Sequence, residues 1–417
     1  MRQSVGQAVW AGVEYLAYPV LMFLSTPFLI RHLGVEAFGL WMLVAAIAAS
    51  WGLANLGVAP MITRYVAMHR DEAGLNTAVQ VVRFGLGRSL IGGAGVGALL
   101  LLGAPWLAAG WLHAMGEPSQ VIAALQVSAL MIVLAQIEFA FKSALKGFEL
   151  FGVAARLELV FKTALVAASV MLVWRGMGIE AVLLAMPVFA LLNCVVYGLV
   201  IARIMGGKVC LPRLRKPVGD AHVFAGWNWL QIISGVMFHQ VDRLLIGSLL
   251  GAAPLGVYAV CMQVAQQIHA LPAALFSFLL PRMSRAAAHT ANDTSRERLM
   301  LLAGTFVALA LGGGVILLAP WILDLWMGEE FSRQYGELLA VLAGGYLLLS
   351  INVVPHFLTL AAGSARYISI LNLVGGILAM ILCVALIYDF ELLGVAVSKY
   401  AYGLVLLLGY WKYKRDK

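Results

Sequence analysis

Charged side chains are scarce in this chain, at 12% of 417 residues, where soluble domains carry roughly a quarter. A water-soluble globule is excluded. Cysteine is nearly absent too, with four in all. Cys194, Cys261 and Cys383 lie inside apolar runs and Cys210 lies between two of them, with no C-x-x-C pair. Neither a disulfide framework nor a zinc site is expected, and the thiols read as small packing residues. No H-E-x-x-H, phosphate-binding Walker loop or G-x-S-x-G occurs, so those hydrolytic chemistries have no footing. Gly92-Gly-Ala-Gly-Val-Gly97 contains G-x-G, but inside an apolar run with no strand before it, which reads as helix packing. Outward loops are short, and Glu117, Asp389 and Glu391 stand alone in them. The expectation is a protein that is not an enzyme and carries no cofactor or metal.

What is abundant is apolar sequence: 62% of the chain is hydrophobic and mean hydropathy is +0.93. Runs of about 20 residues, enough to cross a hydrocarbon core of about 30 Å, recur at 9–30, 39–62, 87–109, 120–141, 153–174, 178–202, 225–250, 255–280, 300–325, 336–361, 367–388 and 393–411. Barrel strands would be half as long and alternate in polarity. The reading is an all-α polytopic membrane protein of twelve transmembrane helices. The first run is longer than a secretory signal and is expected to be retained.

The net charge of +8 does not indicate nucleic acid, because the Lys and Arg residues alternate by loop. With the N-terminus inside, nearly all fall in inward loops, flanks and tails, as the positive-inside rule requires. Both termini are therefore expected in the cytoplasm, where basic loops also meet the anionic inner leaflet. Arg31, Arg175 and Arg333 fall outside, and Lys162, Arg243 and Lys399 fall within spans.

The chain also repeats itself. A shift of 217 residues lays Leu33-Gly34 on Leu250-Gly251, and Gly39-Leu40-Trp41 on Gly256-Val257-Tyr258; at a shift of 221, Pro60-Met-Ile-Thr-Arg64 matches Pro281-Arg-Met-Ser-Arg285. Two six-helix halves follow: an N-terminal lobe over 1–202, a basic cytoplasmic linker over 203–224, and a C-terminal lobe over 225–417. An even number of spans per half gives parallel repeats, an arrangement in which rocking halves open a cleft to alternate sides. This is transporter architecture.

The stretch Pro27-Phe-Leu-Ile-Arg31-His-Leu-Gly34-Val-Glu36-Ala-Phe38-Gly39-Leu-Trp41, with Leu56-Gly57 and Pro60-x-x-x-Arg64, resembles the N-terminal signature of Wzx-type polysaccharide (O-antigen) flippases. These form the polysaccharide branch of the multidrug/oligosaccharidyl-lipid/polysaccharide exporter superfamily, beside MurJ and the MATE exporters. In the second half, Asp242-Arg243-Leu-Leu-Ile-Gly247, Gly251 and Gly256-x-Tyr258 agree with it. The resemblance implies a V-shaped pair of six-helix lobes around a cationic cavity in a bacterial inner membrane. It implies movement of a polyprenyl-diphosphate-linked oligosaccharide to the outer leaflet, with a polysaccharide polymerase and glycosyltransferases as partners. Physics asks for fixed cations independently, since buried phosphate needs a replacement for water.

An Arg or Lys at bilayer depth persists only with a partner or an aqueous cavity. Arg243 is expected to hold phosphate through its planar guanidinium, or else to form an interhelical salt bridge. Lys162 follows Glu158 by four, the spacing of an ion pair, so structure and function stand level. Lys399 has no acid three or four positions away and either snorkels outward or completes the anion site. Arg31 is a diphosphate receiver or an interfacial anchor; Arg64 and Arg285 capture a headgroup or obey the topology rule. Glu14 and Asp242, in corresponding helices of the two halves, are candidates for ion coupling or for helix pairing, whereas Glu138 reads as a partner of Lys142. Gln263 and Gln267, with Gln266, Asn228 and Gln231, supply amides for sugars or for interhelical hydrogen bonds. Trp227, Trp229, Tyr15 and Tyr18 supply flat faces. The rival reading is a MATE-like cation-coupled exporter of drugs or small organic molecules.

Overall fold

The computed structural model of the protein describes residues 2–55, 57–69, 71, 74–207, 212–213, 236, 240–277, 294–361 and 365–415. Among these residues there are helices and no strands. In order they are α1 (Arg2–Leu33), α2 (Val35–Ala49), α3 (Trp51–Asn55), α4 (Val58–Met68), α5 (Leu75–Ala109), a 3₁₀ turn (His113–Met115), α6 (Pro118–Gly147), α7 (Phe151–Trp174), α8 (Ile179–Ile204), α9 (Val241–Leu249), α10 (Ala252–Ala265), α11 (Gln267–Ser277), α12 (Thr294–Met327), α13 (Glu329–Ile351), α14 (Val353–Ala361) and α15 (Ala365–Arg415). All twelve expected runs fall on helical chain, the seventh only in part. Among the described residues, seven helical stretches are long and apolar enough to cross a membrane; the other runs are divided or partly described. The chain is an all-α, multi-pass membrane protein.

Where a run is divided, a polar side chain closes the break. The second run ends its first piece near Ser50 and resumes after Gly57, whose φ of 73° is left-handed. Asn55 Oδ1 accepts the N–H of Ala59 (2.9 Å), while its amide donates to Gln136 Oε1 (3.2 Å) and Ser89 Oγ (3.4 Å). The break is thereby fastened to α5 and α6, as backbone freed inside a membrane must be. Between α13 and α14, Asn352 Nδ2 donates to the carbonyls of Leu348 (2.9 Å) and Gly403 (3.2 Å). The last two runs are two helices that meet within α15 at Glu391, whose φ of 46° and ψ of −126° are not helical.

The described chain forms two compact units. One comprises Met1–Val236 with Gly247–Gly256, the other Met237–Ile246 with Val257–Lys417. In the first, α1 packs on α7, and α6 lies against α5 and α8. Its core gathers Val58, Met61, Ile62, Val82, Leu145 and Tyr197. Arg213 docks there as well, its N–H donating to the Arg83 carbonyl (2.9 Å); the rest of the expected linker 203–224 beyond Gly207 lies outside the described residues, apart from Pro212. In the second unit, α13 packs between α12 and α15. Its run is the most enclosed, with 72% of its most apolar window buried.

The duplicated corner explains why Gly247–Gly256 belongs to the first unit. Gly34 and Gly251 each take a positive φ, 85° and 100°, and each opens a helix. A Cβ on Gly39 would overlap the carbonyl of Ala252, and one on Gly256 the carbonyl of Val35. The two corners thus meet reciprocally, backbone against backbone, which any side chain would prevent.

Candidate functional site

Among the described residues, two clusters of charge lie within the helices, one in each unit. In the first unit, α6 carries Glu138 and Lys142, and α7 carries Glu158 and Lys162. Glu158 is ion-paired with both lysines, one through each carboxylate oxygen. The ammonium of Lys162 also lies 5.2 Å from the centre of the Tyr18 ring, and 35% of its side chain is exposed. Asn193, on α8, bonds Glu138. The cluster holds two acids and two bases and is balanced.

This corrects the sequence reading of Lys142 as a loop cation. Its periodic context continues α6 through Gly147, so Lys142 is buried at 7% exposure and reaches Glu158 on the neighbouring helix while its charge also acts on Glu138 of its own helix. Lys162, one of the three intramembrane cations, is likewise neutralised.

In the second unit, Asp242 near the start of α9 is the hub. Its Oδ2 accepts from Lys399 Nζ (2.7 Å) and from the Tyr258 hydroxyl (2.5 Å), and its Oδ1 accepts the N–H of Arg243 (2.8 Å). Asp242 and Lys399 are 5% and 4% exposed. Lys399 therefore neither snorkels nor stands unpaired: its acid comes from a helix more than 150 residues earlier in the chain, which no inspection of near neighbours could reveal. Asp242 is spent on helix pairing, and its second partner is Tyr258, the repeat's aromatic, for which the sequence suggests no such role.

Arg243 is different. Its Nε is buried without a hydrogen-bond partner, and no ion pair of Arg243 occurs among the described residues. Its one acidic neighbour, Asp242, is already paired with Lys399. Two cations against one acid leave this cluster positive among the described residues, with Arg243 Nε as a donor that has no partner.

The remaining candidates scatter. Arg31 is exposed at the end of α1, where a cation suits the helix dipole. Arg64 is exposed on α4, its guanidinium 6.0 Å from the Tyr65 ring centre. Gln267 donates to the Gln263 carbonyl (3.3 Å), spending its amide across the break between α10 and α11. Glu14 lies on α1 but its side chain is outside the described residues, as are Arg285, Asn228, Gln231, Trp227 and Trp229. His269 and His356, within the eighth and tenth runs, have no part in the sequence reading, although a histidine inside a span is a rare polar residue.

A family profile described as polysaccharide biosynthesis protein matches residues 7–287. The chain belongs to that family. A Shigella flexneri protein named for O-antigen transport is 24% identical over 99% of this chain and 98% of its own length. The Bacillus subtilis membrane protein EpsK is 26% identical over 89% of this chain and 75% of its own. Among solved structures, the lipid II flippase MurJ in an inward closed conformation aligns with a TM-score of 0.77 at 12% identity, over 98% of this chain and 87% of that one. An inward-facing MATE family transporter aligns at 0.72 and 14%, over 95% and 94%. At such identities the two structures speak for the fold alone, and the family membership rests on sequence.

Proposed function

We propose that the protein is a flippase, a transporter and not an enzyme, that moves a polyprenyl-diphosphate-linked oligosaccharide across a bacterial inner membrane by alternating access. In this reading both termini are cytoplasmic, residues 1–202 and 225–417 act as the two lobes, and 203–224 links them. Membership of the polysaccharide biosynthesis family and the name of the Shigella relative support the cargo class. The observation that carries the reading is Arg243: a half-buried arginine whose Nε is buried without a partner, in a cluster with surplus positive charge, suits an anionic cargo, whose phosphate oxygens it would take in two parallel bonds. Arg31, Arg64 and Arg285 are assigned to capture of the headgroup near the membrane surfaces. Lys399 pairs with Asp242 next to Arg243 in the chain, and coupling to an ion is assigned to Asp242 or Glu14. A polymerase and glycosyltransferases of the same pathway are the partners such cargo requires.

The MATE-like alternative rests on fold, and an exporter of organic cations would want surplus negative charge where this chain has surplus positive. The test is a deletion strain in which the leaflet distribution of lipid-linked oligosaccharide is measured. Accumulation on the cytoplasmic leaflet, reversed by the wild-type chain but not by Arg243→Ala, is the expected result; an unaltered distribution with a gain in drug sensitivity would replace this reading by the alternative.

A further inference from the structure

One stripe of α5 faces outward along the helix: Ile91, Ala94, Ala98 and Leu102 are all exposed, at steps of three and four residues. On a membrane-spanning helix an exposed apolar stripe meets lipid. Gly87 lies on the same stripe one turn before Ile91, yet it is buried. What covers it is the backbone of Arg213. A Cβ on Gly87 would stand 2.9 Å from the Arg213 carbonyl oxygen, 3.0 Å from its nitrogen and 3.1 Å from its carbonyl carbon.

The glycine and a hydrogen bond belong to this one contact. A helix side chain leans toward the N-terminus and lies over the turn before its own residue, so a side chain at position 87 would cover the Arg83 carbonyl, four residues earlier. With glycine there, that oxygen keeps its helical bond and leaves its second lone pair open at the side. The Arg213 N–H donates to it (2.9 Å). Pro212, just before, brings a fixed φ to the docked segment, which lowers the entropy lost on docking.

The same stretch is held at its other end. After Met205, fully buried in the core of the first unit, Gly206 and Gly207 take left-handed φ values of 65° and 80°. Their N–H groups donate to the carbonyls of Arg203 (3.2 Å) and Ala202 (2.8 Å). Six residues then lead from this turn off α8 to the contact on α5, a distance that chain length bounds at about 22 Å.

We infer that Pro212–Arg213 is a strap that fastens the inter-lobe linker to α5 and limits how far the two lobes can part. Fastened, the tether is the twelve residues from Arg213 to the seventh run at 225, with a reach of at most about 43 Å. Released, it is the eighteen residues from Gly207, with a reach of about 65 Å. The limit rests on the flippase reading of lobes and linker; the strap itself does not.

Hydrogen exchange measured by mass spectrometry on the full chain in nanodiscs tests the strap, through the Arg213 amide in a peptide covering 208–214. Exchange should be at least about tenfold faster in Gly87→Leu than in the wild type. Gly95→Leu, on the same helix where a Cβ meets nothing within 4 Å, should keep the wild-type rate. The limit is tested by electron–electron distance measurement between nitroxides on Arg203→Cys and Arg298→Cys, both exposed, in a Cys210→Ser background, the other three thiols being buried. The longest separations should move outward in Gly87→Leu and in Arg213→Pro, which deletes the donor without touching α5, whereas Arg213→Ala keeps the N–H and should match the wild type. Where Gly87→Leu does not fold, the two Arg213 variants decide. An Arg213 amide that exchanges as fast in the wild type as in Gly87→Leu would overturn the strap, and an unchanged distance distribution in Arg213→Pro would overturn the limit. Neither readout uses cargo, so both results as expected, with an unaltered leaflet distribution of lipid-linked oligosaccharide in the deletion strain, would leave the strap standing and overturn the flippase reading alone.

Discussion

The two units treat buried charge in opposite ways. In the first, Glu138, Lys142, Glu158 and Lys162 sum to zero, and Glu158 clamps a lysine with each oxygen. In the second, Asp242 faces Lys399 and Arg243 together, and only the lysine is paired. Both clusters look alike as a tally of intramembrane cations, but only one has positive charge to spare. A cation at depth marks a site by what is left after its neighbours are counted. By that measure the proposed anion site lies at Arg243, and the first cluster joins α6 to α7 through Lys142 and Glu158.

The sharpest way to break this contrast is to remove the surplus. Arg243→Ala should insert normally yet lose export by about 10–100-fold or more, the loss of a charged hydrogen-bonded contact of roughly 1.5–3 kcal/mol. Arg243→Lys, which keeps the charge but not the fork, should recover part of it. Leaflet-resolved measurement of the lipid-linked oligosaccharide reads both. Full export by the alanine variant would make the two clusters equivalent and void the distinction.

Next comes the hub. Asp242→Ala leaves Lys399 buried with no acid and removes the acceptor of Tyr258, so thermal unfolding in detergent should show a loss of about 3–5 kcal/mol, the usual penalty for breaking a buried pair from one side. Replacing Asp242 and Lys399 together by leucine and methionine should restore most of that stability. A double variant as unstable as the single one would mean that the pair does more than neutralise itself.

Much of this is legible in the sequence because it depends on local pattern. Run length gives the helices and their number. The glycine corners give the repeat, since Gly34 and Gly251 need a left-handed φ that few other residues take up. Glu158 and Lys162 are readable as a pair through their spacing of four on one helix. What stays hidden depends on tertiary neighbours. Lys399 meets Asp242 only after α9 and α15 pack, and Lys142 turns from a flank into a core residue because α6 runs on to Gly147. The breaks at Asn55 and Asn352 escape a reading that looks to proline, whereas an asparagine that rebinds the freed backbone marks a division equally well.

The first unit offers the matching tests, and smaller effects. Glu158→Gln should cost about 2–3 kcal/mol in the same unfolding assay, at the low end for a broken buried pair, because Glu138 remains close by for Lys142 and Lys162 can turn to solvent. Export measured at equal protein level should stay within about twofold of wild type, since in this reading the cluster does not touch cargo. A collapse of export without a loss of stability would show that the balanced cluster carries cargo after all.

Lys162→Met is expected to do least. About a third of the side chain is exposed at 35%, so Lys162 is the less enclosed partner of Glu158, and a partly exposed ion pair contributes about 0.2–1 kcal/mol. Methionine keeps most of the aliphatic stem and the contact with the Tyr18 ring, and Lys142 still neutralises Glu158 from the buried side. Stability should change by less than about 1 kcal/mol and export by less than twofold. The comparison with Arg243→Ala then isolates the single variable that separates them: both changes delete one positive charge from a charged cluster, but at Lys162 the deletion leaves an acid with its second partner, and at Arg243 it removes a charge whose neighbouring acid is already paired with Lys399.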